Sequence, residues 1–76
     1  MSSDISDSVR RSLNRYFRDL DGQRPHAIYD MVLRAAEKPM LEVVMKQADG
    51  NQTAAADMLG INRNTLRRKL ADHDLL

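Results

Sequence analysis

A short basic segment near the carboxyl end holds the side chains of this chain that are best suited to bind a ligand. Four cations and no acid fall between positions 63 and 69, the densest unopposed positive run in the chain: Arg63, Arg67, Arg68 and Lys69. Arginine pairs with the O6 and N7 atoms of guanine and with phosphate oxygens, so we expect recognition of a nucleic acid. The net charge of the whole chain is only +1, so the distribution of charge has to support this expectation. A basic helical face taken alone is also typical of an ordinary solvated surface.

Two short helices joined by a turn are predicted to position this segment. Asn51 is suited to cap the first helix, Gly60 to end it in a left-handed conformation, and Asn62 to cap the second. A helix-turn-helix needs a small residue at the helix contact, glycine in the turn and an apolar residue that seats the second helix. The matching positions are Gln52, Ala56, Gly60 and Leu66. We therefore predict a DNA-binding helix-turn-helix over residues 50–76, with the recognition helix over 63–71 in the major groove.

The recognition helix is expected to direct its apolar side chains inward and its cations and amides outward. Arg63 falls in the first turn, where recognition helices present side chains to base edges. Asn62 and Asn64 can address a base edge or a phosphate, and Asn62 also serves as the cap. The remaining polar side chains, with the backbone amides after Asn51, suit phosphates. The predicted DNA-binding residues are Asn51, Thr53, Asn62, Arg63, Asn64, Thr65, Arg67, Arg68 and Lys69.

Composition argues against other kinds of site. The chain has no cysteine, and its histidines, His26 and His73, are too far apart for a local chelating pair, so no metal is expected. We interpret both histidines as exposed residues at helix ends. No carboxylate pair or nucleophile beside a base is evident, so we expect no enzyme, no cofactor and no small-molecule substrate. No apolar run approaches the roughly 20 residues of a membrane span, and the acidic amino terminus is unlike a signal peptide, so we expect no membrane partner and a cytoplasmic location.

Four helices and no strand are predicted, because apolar residues recur at spacings of three and four and never alternate over a sustained run. The first helix is placed at about 7–20, after a flexible segment 1–6. Ser6 or Asp7 is the expected cap of this helix. The glycine and proline that follow it are typical of a stop and a turn, with Pro25 in the first turn of the next helix.

The second helix, at about 27–48, is the most apolar part of the chain. It has more apolar residues than one helical face holds, and the other helices are too short to cover it. We therefore predict that residues 7–48 form the core of a homodimer around a two-fold axis. Pro39 is expected to kink this helix, and the alternative is two helices broken at the proline. The methionines are interpreted as core filler: Met31, Met40, Met45 and Met58.

With these elements assigned, the sequence resembles the Fis family (factor for inversion stimulation) of bacterial nucleoid proteins. The similarity covers residues 8–17, 28–33, 37–41 and 50–70, and the last of these segments is highly specific. The resemblance implies a single Fis-like domain over 1–76, an intertwined homodimer whose recognition helices lie closer together than one turn of straight DNA. The DNA then has to bend or narrow its central minor groove. The implied role is a transcription regulator or nucleoid organiser, located in the bacterial nucleoid.

The resemblance also carries over individual DNA contacts, which fall on Asn51, Thr53, Asn62, Arg63, Thr65, Arg68 and Lys69. Asp49 and Ala54 stand where relatives have arginine, and Ala71 and Asp72 replace a basic pair. Because fewer phosphates are neutralised, we expect weaker non-specific binding and a shallower salt dependence than in those relatives. The chain begins just before the first helix, so the resemblance is to a short form without the amino-terminal hairpin arm. No recombinase stimulation is expected.

A protein-interaction module is the alternative function. In that case the chain is a helical dimer whose basic helix binds an acidic protein partner. Substitution of Arg63 separates the two functions, because only the DNA-binding protein has DNA affinity to lose.

Overall fold

A computed structural model describes residues 3–76 of the chain. Every regular element in this range is a helix, as α1 (Asp4–Leu20), α2 (Ile28–Gln47), α3 (Gln52–Leu59) and α4 (Arg63–Asp72) follow one another. The prediction of an all-α chain with four helices is confirmed. The chain divides after Val32 into two compact units.

The first helix begins earlier than predicted. Ser3 caps α1, since its hydroxyl oxygen accepts a hydrogen bond from the Ser6 amide at 3.3 Å, and Asp4 follows in the first turn. A carboxylate at this end is favourable because a helix amino terminus is partly positive. The predicted cap at Ser6 or Asp7 is therefore wrong. Of the segment 1–6, the first two residues lie outside the described part of the chain, and helix begins at Asp4.

The connection from α1 to α2 also differs from the prediction. Asp21 ends α1 in the left-handed conformation, with φ of 51°. The chain is not helical at Pro25, and α2 begins only at Ile28, so the placement of Pro25 in its first turn is wrong. Ala27 lies between Pro25 and α2 and has a φ of 53°. This left-handed conformation lies outside a right-handed helix, so no helical turn runs from Pro25 into α2.

The first unit has no buried side chain in α1. The half-buried positions of α1 are mostly the apolar stripe at Val9, Leu13, Tyr16 and Leu20. The Tyr16 hydroxyl accepts from the His26 amide at 3.5 Å, and the Tyr16 ring meets the Phe17 ring edge-on with 5.6 Å between centroids. Other large apolar side chains of this unit are exposed, namely Ile5, Phe17, Tyr29 and Met31. These exposed side chains indicate an incomplete core.

The second helix is continuous through Pro39, so the alternative of two helices broken there is wrong. A proline removes one backbone donor, and the helix nevertheless continues on both sides of it. The observed limits lie one residue inside the predicted range of 27–48 at each end.

The core of the second unit joins α2, α3 and α4. Its buried apolar residues are Leu41, Ala48, Ala55, Ala56, Leu66 and Leu70. Small alanines let α3 approach its neighbours closely, and the two α4 leucines fill the space between helices. Met45 packs against this core as predicted, whereas Met31, Met40 and Met58 are exposed, so their interpretation as core filler is wrong for the single chain.

A second apolar face of α2 stays exposed. It is formed by Leu33, Ala36, Met40 and Val43, which we call the α2 stripe. Their spacing of three, four and three residues puts them on one side of the helix, away from the side that carries Leu41. Such a spacing is typical of the seam between two packed helices.

Candidate nucleic-acid interface

The interface begins at the turn before α3. Asn51 has an extended backbone and caps α3, with its side-chain oxygen accepting from the Ala54 amide at 3.0 Å. The prediction that Asn51 caps this helix is confirmed. Thr53 lies exposed in the first turn beside it. Amide groups in the first turn of a helix point outward and suit anions, so this corner can take a phosphate.

The turn between α3 and α4 sets the start of the recognition helix. Gly60 has φ of 75° and its amide donates to the carbonyls of Ala56 and Asp57, as a glycine C-cap does. The side-chain oxygen of Asn62 then accepts from the Asn64 amide at 2.7 Å and caps α4. Both predicted caps are confirmed. Asn62 keeps its amide NH₂ and the second lone pair of that oxygen for an outside partner.

The exposed side of α4 carries cations that stay unpaired in the described part of the chain. Leu66 and Leu70 are buried, and the helix therefore presents its other side to solvent. Arg63, Arg67 and Arg68 are all exposed, and none has a hydrogen bond or an ion pair within residues 3–76. Asn64 is exposed among them. These guanidinium groups are free to bind phosphates or base edges.

An open cleft of about 490 Å³ brings part of the predicted set together at the junction of α3 and α4. Asn51, Thr53 and Arg63 line it, so the α3 cap and the first residue of α4 face one space. Asp57 also lines the cleft, and sequence reasoning missed it. Its position four residues after Thr53 on one helical face is the signal that could have found it.

Two predicted residues lie apart from this exposed group. Thr65 and Lys69 are half-buried and lie one turn apart on one side of α4. The Lys69 ammonium donates to one carboxylate oxygen of Glu37 at 2.8 Å. A contact of Lys69 with DNA phosphate stays a prediction, but in this structure its charge is paired within the chain.

The interpretation of His73 as an exposed helix-end residue is wrong. His73 ends α4, yet it is only 6% exposed, and its Nε2 atom lies 2.9 Å from the second carboxylate oxygen of Glu37. Arg34 reaches the same end of α4, where it donates to the Asp72 carbonyl at 3.3 Å. No local pattern could have indicated these contacts, because their partners lie 32 or more residues apart in sequence.

Acid is expected to weaken this part of the fold. The hydrogen bond from Lys69, with a second from His73, lowers the pKa of the Glu37 carboxyl below its usual value. Because the pKa of Glu37 is lower in the folded state, its ionised carboxylate stabilises the fold. This contribution is complete above the unfolded-state pKa, which is about 4.3 for glutamate. It is lost as the pH falls through the lower folded-state pKa. We expect Glu37→Gln to flatten the fall in the free energy of unfolding in that acidic range, measured by urea titration at a series of pH values. Equal pH dependence in the variant and the wild type would contradict this.

Within residues 3–76 no three potential metal-ligating side chains come together. No helix in that range is long and apolar enough to cross a membrane.

Comparison with known proteins places this helix-turn-helix in a family. Residues 32–73, which include most of α2 and all of α3 and α4, match the family described as bacterial regulatory protein, Fis family. A Fis-like DNA-binding protein of Ralstonia nicotianae is 60% identical over 72 residues, covering 95% of this chain and 94% of the relative. Fis-like DNA-binding proteins of Neisseria meningitidis serogroups A and B are each 56% identical over 73 residues, covering 96% of this chain and 92% of the relative. The agreement extends beyond the recognition helix to nearly the whole length, and the chain belongs to the Fis family of bacterial regulatory proteins, which are not enzymes.

Proposed function

We propose that this protein is a homodimeric DNA-binding and DNA-bending regulator that acts on transcription or chromosome organisation. The observation that carries the proposal is the exposed side of α4, where three arginines lie free of any partner within residues 3–76 on a capped helix-turn-helix. The relatives at 56–60% identity are Fis-like DNA-binding proteins, which favours the same ligand here. Such a protein works in the bacterial nucleoid, within the cytoplasm.

Arg63 is the proposed base-reading residue. It is the first residue of α4, so its side chain projects from the end of the helix that enters the major groove deepest. Its guanidinium group can donate two hydrogen bonds to the O6 and N7 atoms of one guanine. Asn64 follows it on the exposed side and can address a neighbouring base edge or a phosphate. The capping bond from Asn62 holds this first turn in shape before DNA arrives.

Phosphates are the proposed partners of the surrounding polar groups. Arg67 and Arg68 lie farther along the exposed side of α4, where the helix leaves the groove beside the backbone. Asn51 and Thr53 offer side chains and backbone amides at the start of α3. Thr65 is half-buried and can present only its hydroxyl at the edge of this surface. Phosphate contacts of this kind fix the position of the protein on DNA without reading the sequence.

The proposed dimer rests on the α2 stripe. Leu33, Met40 and Val43 are large apolar side chains that the single chain leaves exposed. Their continuous seam along one side of α2 suits the same seam of a second copy, packed around a two-fold axis. The incomplete core of the first unit also favours association, because a chain of this length buries only about 60% of its unfolded surface.

DNA bending is proposed as a consequence of the dimer. The family resemblance implies that the two recognition helices lie closer together than one turn of straight duplex. Both can enter the major groove only if the DNA bends toward the protein or narrows its central minor groove. The cost of bending depends on the sequence between the two half-sites, so part of the specificity comes from base pairs that the protein does not touch.

The test is a titration of a fluorescent duplex of about 27 base pairs, with guanines flanking an A/T-rich centre, across a salt series. Arg63→Ala is expected to weaken binding by about 1–3 kcal/mol and to lose the preference for guanine over adenine at the contacted position. Donor and acceptor dyes on the two ends of the duplex report bending in the same titration.

Arg15→Ala is the matched control, because Arg15 is an exposed arginine of α1 that lies outside the helix-turn-helix. It removes the same charge and is expected to change affinity much less. Equal affinity of Arg63→Ala and wild type would contradict the role of Arg63. If the wild type binds no duplex at low salt, the alternative function as an interaction module for an acidic protein replaces this proposal.

A further inference from the structure

The carboxyl end of the recognition helix is held by polar contacts from α2. Arg34 donates to the Asp72 carbonyl, and the two carboxylate oxygens of Glu37 bind Lys69 and His73 separately. We call these five residues the α2–α4 clamp. Glu37 is its centre, because this one side chain makes two of the three contacts.

The clamp makes Lys69 less available than its neighbours for binding a phosphate. Its ammonium lies 2.8 Å from Glu37, and its side chain is 36% exposed. Its neighbour Arg68 is exposed and has no partner within residues 3–76. To bind a phosphate, Lys69 would have to leave a carboxylate that is itself only 23% exposed. Glu37 would then keep only His73 among its partners within residues 3–76.

Position along α4 gives the clamp its relevance to DNA reading. Arg63 stands at the amino end of this ten-residue helix, and the clamp residues Lys69 and His73 stand at its other end. The contacts of Lys69 and His73 with Glu37 add directional hydrogen bonds to the apolar packing of Leu66 and Leu70. Holding the far end therefore restricts the direction in which the near end points.

We propose that Glu37 is a positioning residue for DNA recognition, and that Lys69 stays bound to Glu37 in the DNA complex instead of binding a phosphate. This inference rests on the proposed function. Lys69 then acts as a structural cation, and the phosphate-binding charge of α4 comes from its arginines.

Two neighbouring substitutions on one helix test the assignment of Lys69. Arg68→Gln is expected to make the slope of log affinity against log salt shallower by about 0.9 per subunit, because one phosphate contact is lost. Lys69→Gln removes the same charge one residue later and is expected to leave the slope unchanged. A reduction as large as that of Arg68→Gln would overturn the assignment.

Glu37→Gln tests the positioning role. Without the carboxylate, Lys69 is released and can bind a phosphate. The slope of log affinity against log salt is then expected to become steeper by about 0.9 per subunit. The preference for guanine over adenine is expected to fall several-fold. The double variant Glu37→Gln with Lys69→Gln is expected to return the slope to the wild-type value without restoring the preference. An unchanged slope together with an unchanged preference in Glu37→Gln would overturn the proposal.

Folding is measured separately, by circular dichroism and urea titration without DNA. If Glu37→Gln does not fold, the comparison of Lys69→Gln with Arg68→Gln still decides whether Lys69 binds phosphate, and equal losses overturn the proposal. Failure of the wild type to bind any duplex would refute the proposed function and this inference with it. Binding by the wild type with equal losses in the two α4 variants would refute this inference alone.

Discussion

Val43→Glu is expected to yield folded monomers and to lower DNA affinity about 100-fold or more, since two linked recognition helices bind far more tightly than one. Val43 is 61% exposed in the single chain, so a carboxylate there costs little before association. Across a two-fold axis the same change buries two like charges within the α2 stripe, which is strongly unfavourable. Sedimentation velocity reports the mass, and fluorescence anisotropy with the labelled duplex reports the affinity.

Lys46→Gln is the matched control for this substitution. Lys46 is exposed on α2 outside the α2 stripe, and the change alters the net charge by the same single unit. It is expected to leave the mass unchanged and the affinity nearly so. A wild-type protein that sediments at the 8.7 kDa of one chain at micromolar concentration would refute the proposed dimer. Full DNA affinity in monomeric Val43→Glu would show that association does not serve DNA binding.

Leu66→Ala is expected to have the largest effect on stability, a loss of about 2–5 kcal/mol in the free energy of unfolding. Leu66 is 0% exposed and belongs to the core that joins α2, α3 and α4. A domain has only about 5–15 kcal/mol of stability, so this loss removes a large share of it. Urea titration followed by circular dichroism measures it.

The same substitution at an exposed leucine provides the comparison. Leu76 is 65% exposed at the carboxyl end, so Leu76→Ala is expected to change the free energy of unfolding by less than about 0.5 kcal/mol. A loss below about 1 kcal/mol in Leu66→Ala would mean that the core between these helices is not needed for folding.

Helix ends were predictable where one residue type meets one local need. Gly60 adopts a left-handed conformation that other residues rarely adopt, while Asn51 and Asn62 each satisfy an amide of the following turn. The start of α1 was less predictable, because several residues near the amino end can cap a helix and Ser3 is the one that does. Pro25 suits an extended segment as well as a helical first turn, so its type alone did not locate the start of α2.

The candidate site also had a part that was predictable from the sequence and a part that was not. Helical periodicity was enough to predict that Arg63, Arg67 and Arg68 are exposed once Leu66 and Leu70 were assigned to the core. It could not indicate that Glu37 meets Lys69 and His73, since such contacts depend on how α2 packs against α4. The exposure of Met40 was not predictable for the same reason. The sequence shows that this side chain is apolar, but it does not show which helix covers it.

The α2 helix joins the proposed dimer surface to the proposed DNA interface without a hinge between them. One side of it packs Leu41 against the helices that carry the interface, and the α2 stripe on another side is the proposed dimer surface. In such a dimer the separation of the two recognition helices is set by a rigid rod, whereas regulators with tethered domains can adjust theirs through a linker. One extra base pair between half-sites rotates one of them by about 34° around the DNA axis, and only the DNA can absorb that change. The protein would therefore discriminate between binding sites by the distance between their halves as well as by their bases.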